Sequence, residues 1–106
     1  MREIHAAIGG RPDVRLWRRN VGVATPLGSR RAIRFGLPGQ ADLEGIVGPE
    51  GWHLEIEVKS PTGRLSEEQR RWGEMTVALG GIWICARSVK EAIDALDAEI
   101  ARRRQG

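Results

Sequence analysis

Asp42-Leu43-Glu44-Gly45-Ile46-Val47, Gly48-Pro49-Glu50-Gly51 and Trp52-His53-Leu54-Glu55-Ile56-Glu57-Val58-Lys59 follow one another, and this stretch decides the fold. Two runs of β-type residues flank a block of turn formers, which predicts a β-hairpin. An even loop centred on the bond between Pro49 and Glu50 pairs Asp42 with Glu57 and Glu44 with Glu55. Directly opposed residues have Cβ atoms about 5 Å apart. Side-chain alternation then separates two faces. Ala41, Leu43, Gly45, Val47, Trp52, Leu54, Ile56 and Val58 form an apolar face that packs on a core. Asp42, Glu44, His53, Glu55, Glu57 and Lys59 form the other, with Ile46 as its apolar exception.

Opposed like charges destabilise a sheet. Four carboxylates against one lysine is poor design for a merely solvated face, and a hard divalent cation is one way to neutralise them. Mg²⁺ prefers oxygen ligands and commonly uses one or two carboxylates, water and phosphate oxygens. Asp42 and Glu57 are placed to grip such an ion. Lys59 lies two residues beyond Glu57, about 7 Å along the same face, within reach of a phosphate. The competing reading is an ordinary half-exposed sheet surface with alternating charges. A register slip would break the pairing altogether.

Outward from the hairpin, residues 2–8 read as a short helix stopped by Gly9, Gly10 and Pro12. Val14 to Trp17 alternates as a strand. Asn20 to Ser29 reads as a loop or irregular strand pair, Ala32 to Phe35 as a short strand and Gly36 to Gly39 as a turn. After the hairpin, Ser66 and Gln69 have capping-box spacing ahead of a helix from Glu67 to about Leu79, with Trp72, Met75 and Leu79 on one face. Ile82 to Ala86 is a continuous apolar strand suited to a sheet interior. Ser88 and Glu91 suggest a second capping box, and Val89, Ala92, Ile93, Leu96 and Ile100 mark the buried face of a last helix. The fold class is α/β (α+β) with a mixed central sheet flanked by helices.

A chain of 106 residues makes one domain, here 1–106, with a core small enough to favour self-association. Lysine plus arginine exceed aspartate plus glutamate by 17 to 14, a net charge of +3, so charge alone does not identify a nucleic-acid binder. The arginines cluster, at 15, 18 and 19, at 30, 31 and 34, at 70 and 71, and at 102 to 104. Arginine suits bidentate phosphate contact, although each cluster also reads as a solvated basic surface. Cys85 is a lone cysteine, read as a small buried hydrophobe, and no Cys/His spacing for zinc is present. No signal peptide or membrane span is evident, so the expectation is a cytoplasmic protein with no membrane partner.

Asp42, a following strand and Glu57-Val58-Lys59 together resemble the PD-(D/E)XK nuclease motif. Arg19-Asn20, Gly36-Leu37-Pro38-Gly39-Gln40-Ala41-Asp42, Glu57-Val58-Lys59-Ser60-Pro61-Thr62-Gly63-Arg64-Leu65-Ser66 and Gln69 resemble its VRR-NUC branch, over most of the chain. Ala41 stands where that motif usually has proline. The resemblance implies a restriction-endonuclease-like core of helix, three strands, helix and strand. It implies Asp42, Glu57 and the Val58 carbonyl as ligands of Mg²⁺ (or Mn²⁺). Lys59 is implied to orient the attacking water, Gln69 to sit beside the site, and Glu3 to be an acidic residue of the first helix that joins it. Stand-alone members are implied to be homodimers related to Holliday-junction resolvases, often phage-encoded.

The expected function is therefore metal-dependent hydrolysis of DNA phosphodiesters, with branched DNA as the expected substrate. Arg19, Arg30, Arg31 and Arg64 are the expected phosphate contacts. A nuclease-like module that binds nucleic acid without cutting it, and a plain dimerisation domain, are the alternatives. The tryptophans at 17, 52, 72 and 83 are expected in the core or at a dimer interface, and His53 is expected to be structural.

Overall fold

The computed structural model describes residues 1–19, 22–24, 27–28, 33–35 and 37–106, with 22–24 and 33–35 described by their backbone. The hairpin is β4 (Leu43–Val47) and β5 (Trp52–Val58), paired antiparallel in the expected register, Glu44 opposite Glu55 and Val47 opposite Trp52. Its turn closes through the Gly51 amide on the Val47 carbonyl at 2.9 Å, with Gly51 at φ +79°. The apolar face is buried as the alternation required: Ala41, Leu43, Val47, Leu54 and Ile56 have no exposed surface.

α1 (Arg2–Gly9) leads into β1 (Val14–Arg18), which pairs antiparallel with β4. β2 (Gly22–Ala24) and β3 (Ile33–Phe35) form a separate two-stranded sheet between β1 and β4 in the chain. α2 (Glu67–Ala78) crosses over to β6 (Ile82–Ala86), which lies parallel to β5, and α3 (Val89–Gln105) follows. The main sheet is therefore mixed, in the order β1-β4-β5-β6. The sequence α1, β1, β4, β5, α2, β6 is the expected helix, three strands, helix, strand of a restriction-endonuclease-like core. Among the described residues, no helix is long and apolar enough to cross a membrane.

One core lies between the apolar sheet face and two helices. Ile4 and Ile8 of α1 and Ala92, Leu96 and Ile100 of α3 meet Leu16, Leu43, Leu54, Ile56, Ile82 and Ile84. Each such side chain, fully buried, contributes about 1.5–3 kcal/mol. The Ser88 hydroxyl caps α3 by accepting from the Glu91 amide at 3.1 Å; only this half of the expected capping box forms. Two arginines of the last turn tie the helix to neighbouring loops. Arg103 donates to the Gly80 and Gly81 carbonyls, and Arg104 grips Glu50 and lies over the Trp52 ring.

α2 packs on the opposite, polar face, with a different set of residues inward than the periodicity suggested. Met75 and Leu79 are exposed, and Gly73 and Thr76 are the buried positions. The reason is the bulk of Trp83 on β6, since a Cβ on Gly73 would stand 2.6 Å from that ring. Two further expectations are corrected here. β6 occupies an edge of the sheet, and its apolar character reflects helices on both faces. Cys85 is only partly buried.

Gly39 shows how closely the loop before β4 sits against α2. Its φ is +85°, and a Cβ there would lie 2.2 Å from the Glu68 carbonyl oxygen. Gly39→Ala is expected to cost about 3 kcal/mol, from left-handed strain plus the clash, read as a lower urea midpoint with an unchanged slope.

Candidate active site

Asp42 sits where the β1–β4 ladder ends, its carbonyl accepting from the Arg19 amide at 2.9 Å. Its side chain takes over the next ladder position: Asp42 Oδ2 accepts from the Val58 amide at 2.8 Å. In an extended strand the N–H and C=O of one residue point to the same side. The Val58 carbonyl is therefore turned toward the Asp42 side of β5.

Glu57 lies across from Asp42 and is only 3% exposed. Two donors surround its Oε1: the Gln69 side-chain amide at 3.1 Å and the Lys59 ammonium at 3.8 Å. Gln69 is oriented by its helix. The capping box of α2 commits its Oε1 to the Ser66 amide at 2.9 Å, which leaves its NH₂ aimed at Glu57. Capping and contact with Glu57, which look like competing roles in the sequence, are performed by one side chain.

Glu57 Oε2 is buried without a hydrogen-bond partner among the described residues. Burial pushes the Glu57 carboxyl up from 4.5 to about 8, and the neighbouring Asp42 adds to the shift. An orphaned carboxylate oxygen beside a second carboxylate, with a backbone carbonyl on the same side, is an oxygen-donor set suited to a hard divalent cation. The residues present fit the ion that the sequence implied.

A second charged cluster lies on the same face. Glu55, only 2% exposed, accepts from the Trp72 indole at 2.9 Å and from Arg19 at 3.2 Å, and lies 2.9 Å from His53 Nε2. Arg19 also pairs with Glu44. Burial alone would raise the Glu55 pKa, but hydrogen bonds from His53 and Trp72 and the charge of Arg19 outweigh it and hold the carboxyl below its ordinary value. Glu44, His53 and Glu55 place ligand atoms within 4.8 Å of one another, a possible metal-binding group. Its charge is already met by a guanidinium that an incoming cation would have to displace. The carboxylate left with an unmet buried oxygen, among the described residues, is Glu57, beside Asp42.

The structure thus brings together Asp42, Glu57, Val58, Lys59 and Gln69. Arg19, expected at the phosphate surface, is instead 12% exposed and turned toward Glu44 and Glu55. Two of the four carboxylates on this face thereby share one internal positive charge. Glu3 is exposed on α1, lies near the amino terminus of the chain, and makes no hydrogen bond or ion pair with Asp42 or Glu57. Arg64 is exposed on the loop between Lys59 and Ser66. Arg30 and Arg31 lie outside the described residues. The Arg19–Glu55–Trp72 contacts were not anticipated, although the charge imbalance of the hairpin face was their signal.

No curated protein matches the chain. The model of the VRR-NUC domain matches residues 1–90, and with the motif residues gathered at the end of the hairpin, the chain belongs to the VRR-NUC domain family, a nuclease-type family.

Proposed function

We infer that this chain works as one nuclease domain that hydrolyses DNA phosphodiesters with the help of Mg²⁺ or Mn²⁺. The observation that carries the reading is the buried Glu57 oxygen beside Asp42, without a partner among the described residues, with Lys59 and Gln69 converging on the same carboxylate. Asp42, Glu57 and the Val58 carbonyl would hold the ion. A divalent ion bound there offsets phosphate charge and lowers the pKa of water. Lys59 holds a positive charge against the oxygens on which charge develops during displacement. Gln69 keeps the Glu57 carboxylate in one orientation. Arg64 neutralises a flanking phosphate, as do Arg30 and Arg31 on the segment between β2 and β3. Contacts of this kind weaken steeply with added salt. The preferred substrate is branched DNA, met by a two-fold homodimer whose paired sites address two strands.

The test is a panel of four-way junction, flap, duplex and single-stranded DNA incubated with each metal. Asp42→Ala is expected to lower the cleavage rate by at least about 1,000-fold, and Lys59→Ala by about 100- to 1,000-fold. Undiminished cleavage by either variant would overturn the assignment. DNA binding that persists in EDTA, with no cleavage in any metal, would instead mark a binding module.

A further inference from the structure

Lys59 is held more tightly than a lysine at the end of a strand needs to be. Its side chain is only 19% exposed, with the ammonium 3.8 Å from Glu57 Oε1. A lysine stem is flexible and loses much freedom when it is ordered, so something must restrain it. The backbone is fixed first, by the Lys59 amide donating to the Ala86 carbonyl at 3.0 Å. The chain then bends sharply, and the Gly63 amide donates to the Ser60 carbonyl at 3.1 Å. This bend folds back on the lysine. A Cβ on Gly63 would lie 3.6 Å from the Lys59 Cβ, so the backbone of Gly63 covers the root of the Lys59 side chain.

Arg87, the first residue after β6, fixes that bend from outside. Its Nη2 donates to the Gly63 carbonyl at 2.8 Å. Its Nη1 donates weakly to Cys85 Sγ at 3.7 Å, and Cys85 lies beside Glu57 across the β5–β6 pair. The guanidinium is thus braced on the strand next to the site while it grips the loop. That loop, residues 60–65, also leads to Ser66, whose capping partner Gln69 meets the same Glu57 oxygen as Lys59.

We propose that Arg87 is a positioning residue for the nuclease reaction: by holding the Gly63 carbonyl it closes the loop over Lys59 and keeps the ammonium beside Glu57. The proposal rests on the nuclease reading above and adds to it a residue outside the motif. Arg87 acts through Lys59 rather than by touching the phosphate. Without the tie the bend opens, the lysine stem regains its rotamers, and the ammonium spends less time where charge develops. The loss falls on the rate with DNA already bound.

The chain's two lysines, Lys59 and Lys90, allow a test that needs no activity. Lys90 is exposed on α3 and serves as the internal standard. Wild type and Arg87→Ala are treated with limiting acetic anhydride, in EDTA and without DNA, and labelling is read for each lysine by peptide mass. Labelling of Lys59 relative to Lys90 is expected to rise about two- to tenfold in the variant, the worth of one hydrogen bond. With Mg²⁺, cleavage at saturating DNA is expected to fall about 10- to 100-fold while KM stays within about twofold. Arg87 is exposed, so the urea midpoint should stay near that of the wild type. Unchanged relative labelling would overturn the tie. Faster labelling with an unchanged cleavage rate would overturn its part in the reaction. A raised KM, with a salt slope for DNA binding reduced by about one, would make Arg87 a phosphate contact instead. A wild type that cuts no DNA in either metal would sink the nuclease reading, and the labelling would still decide whether Arg87 holds Lys59 in place.

Discussion

Glu57→Gln is expected to abolish cleavage and, in the same protein, to stabilise the ion-free fold above pH 8. The Glu57 carboxyl is raised from 4.5 to about 8, chiefly by burial and then by Asp42. Below the ordinary carboxyl range, native and unfolded chains both carry the proton and the stabilisation is complete. As pH rises past 4.5 the unfolded chain releases that proton while the native state keeps it, so stability falls. The loss is complete once the native group has also ionised, at about pH 8. Glutamine is neutral throughout and keeps the shape. In EDTA, urea unfolding of the wild type should weaken steadily from about pH 5 to pH 8, and the variant should lack that slope, with a gap on the order of 3 kcal/mol at pH 9. Mg²⁺ should then stabilise the wild type and leave the variant unmoved. Matching pH profiles for the two proteins would show that Glu57 is not strained in the ion-free state.

Arg19→Ala should unfold the protein rather than merely weaken its grip on DNA. Arg19 is the cation that meets Glu44 and Glu55, and Glu55 is buried against α2. Removing one partner of a buried pair leaves the other charge uncompensated, at about 3–5 kcal/mol. This approaches the whole stability of a small domain. Denaturant titration measures the loss, and Arg19→Met combined with Glu55→Gln should recover much of it because the deeply buried charge is gone and only the more exposed Glu44 is left without its partner. A further readout separates this role from phosphate contact. Whatever Arg19→Ala protein stays folded should show the wild-type salt slope for DNA binding, whereas loss of a phosphate contact would reduce that slope.

The hairpin was legible because a symmetric turn and strict alternation leave one register, and that register sets Asp42 against Glu57. Both capping serines were legible for a similar reason, since a cap is a contact over three residues. What eluded the sequence was tertiary. Four carboxylates on one face signalled a missing positive charge but not its source. The charge came in part from Arg19, which lies beyond the hairpin and across the β1–β4 pair, where no local pattern points to it. The inward face of α2 was misjudged for a related reason. Hydrophobic periodicity favours Met75 and Leu79, yet the helix is seated by what it lacks, with Gly73 leaving room for a tryptophan on another strand. The apolar run of β6 suggests an interior strand because such a run reports burial of both faces and is silent about its two edges.

The side chain of Gln69 closes the first turn of α2 with its oxygen and steadies Glu57 with its nitrogen. Glutamate serves a helix start as well as glutamine does, but here it would press another negative charge against an already crowded pair. Serine or threonine would be too short to do both. The position thus tolerates far less substitution than either task alone would demand. Any loosening of that helix end would also release the Glu57 carboxylate from its Gln69 partner, so fraying there would reach the proposed metal ligand, as it would not at most helix termini.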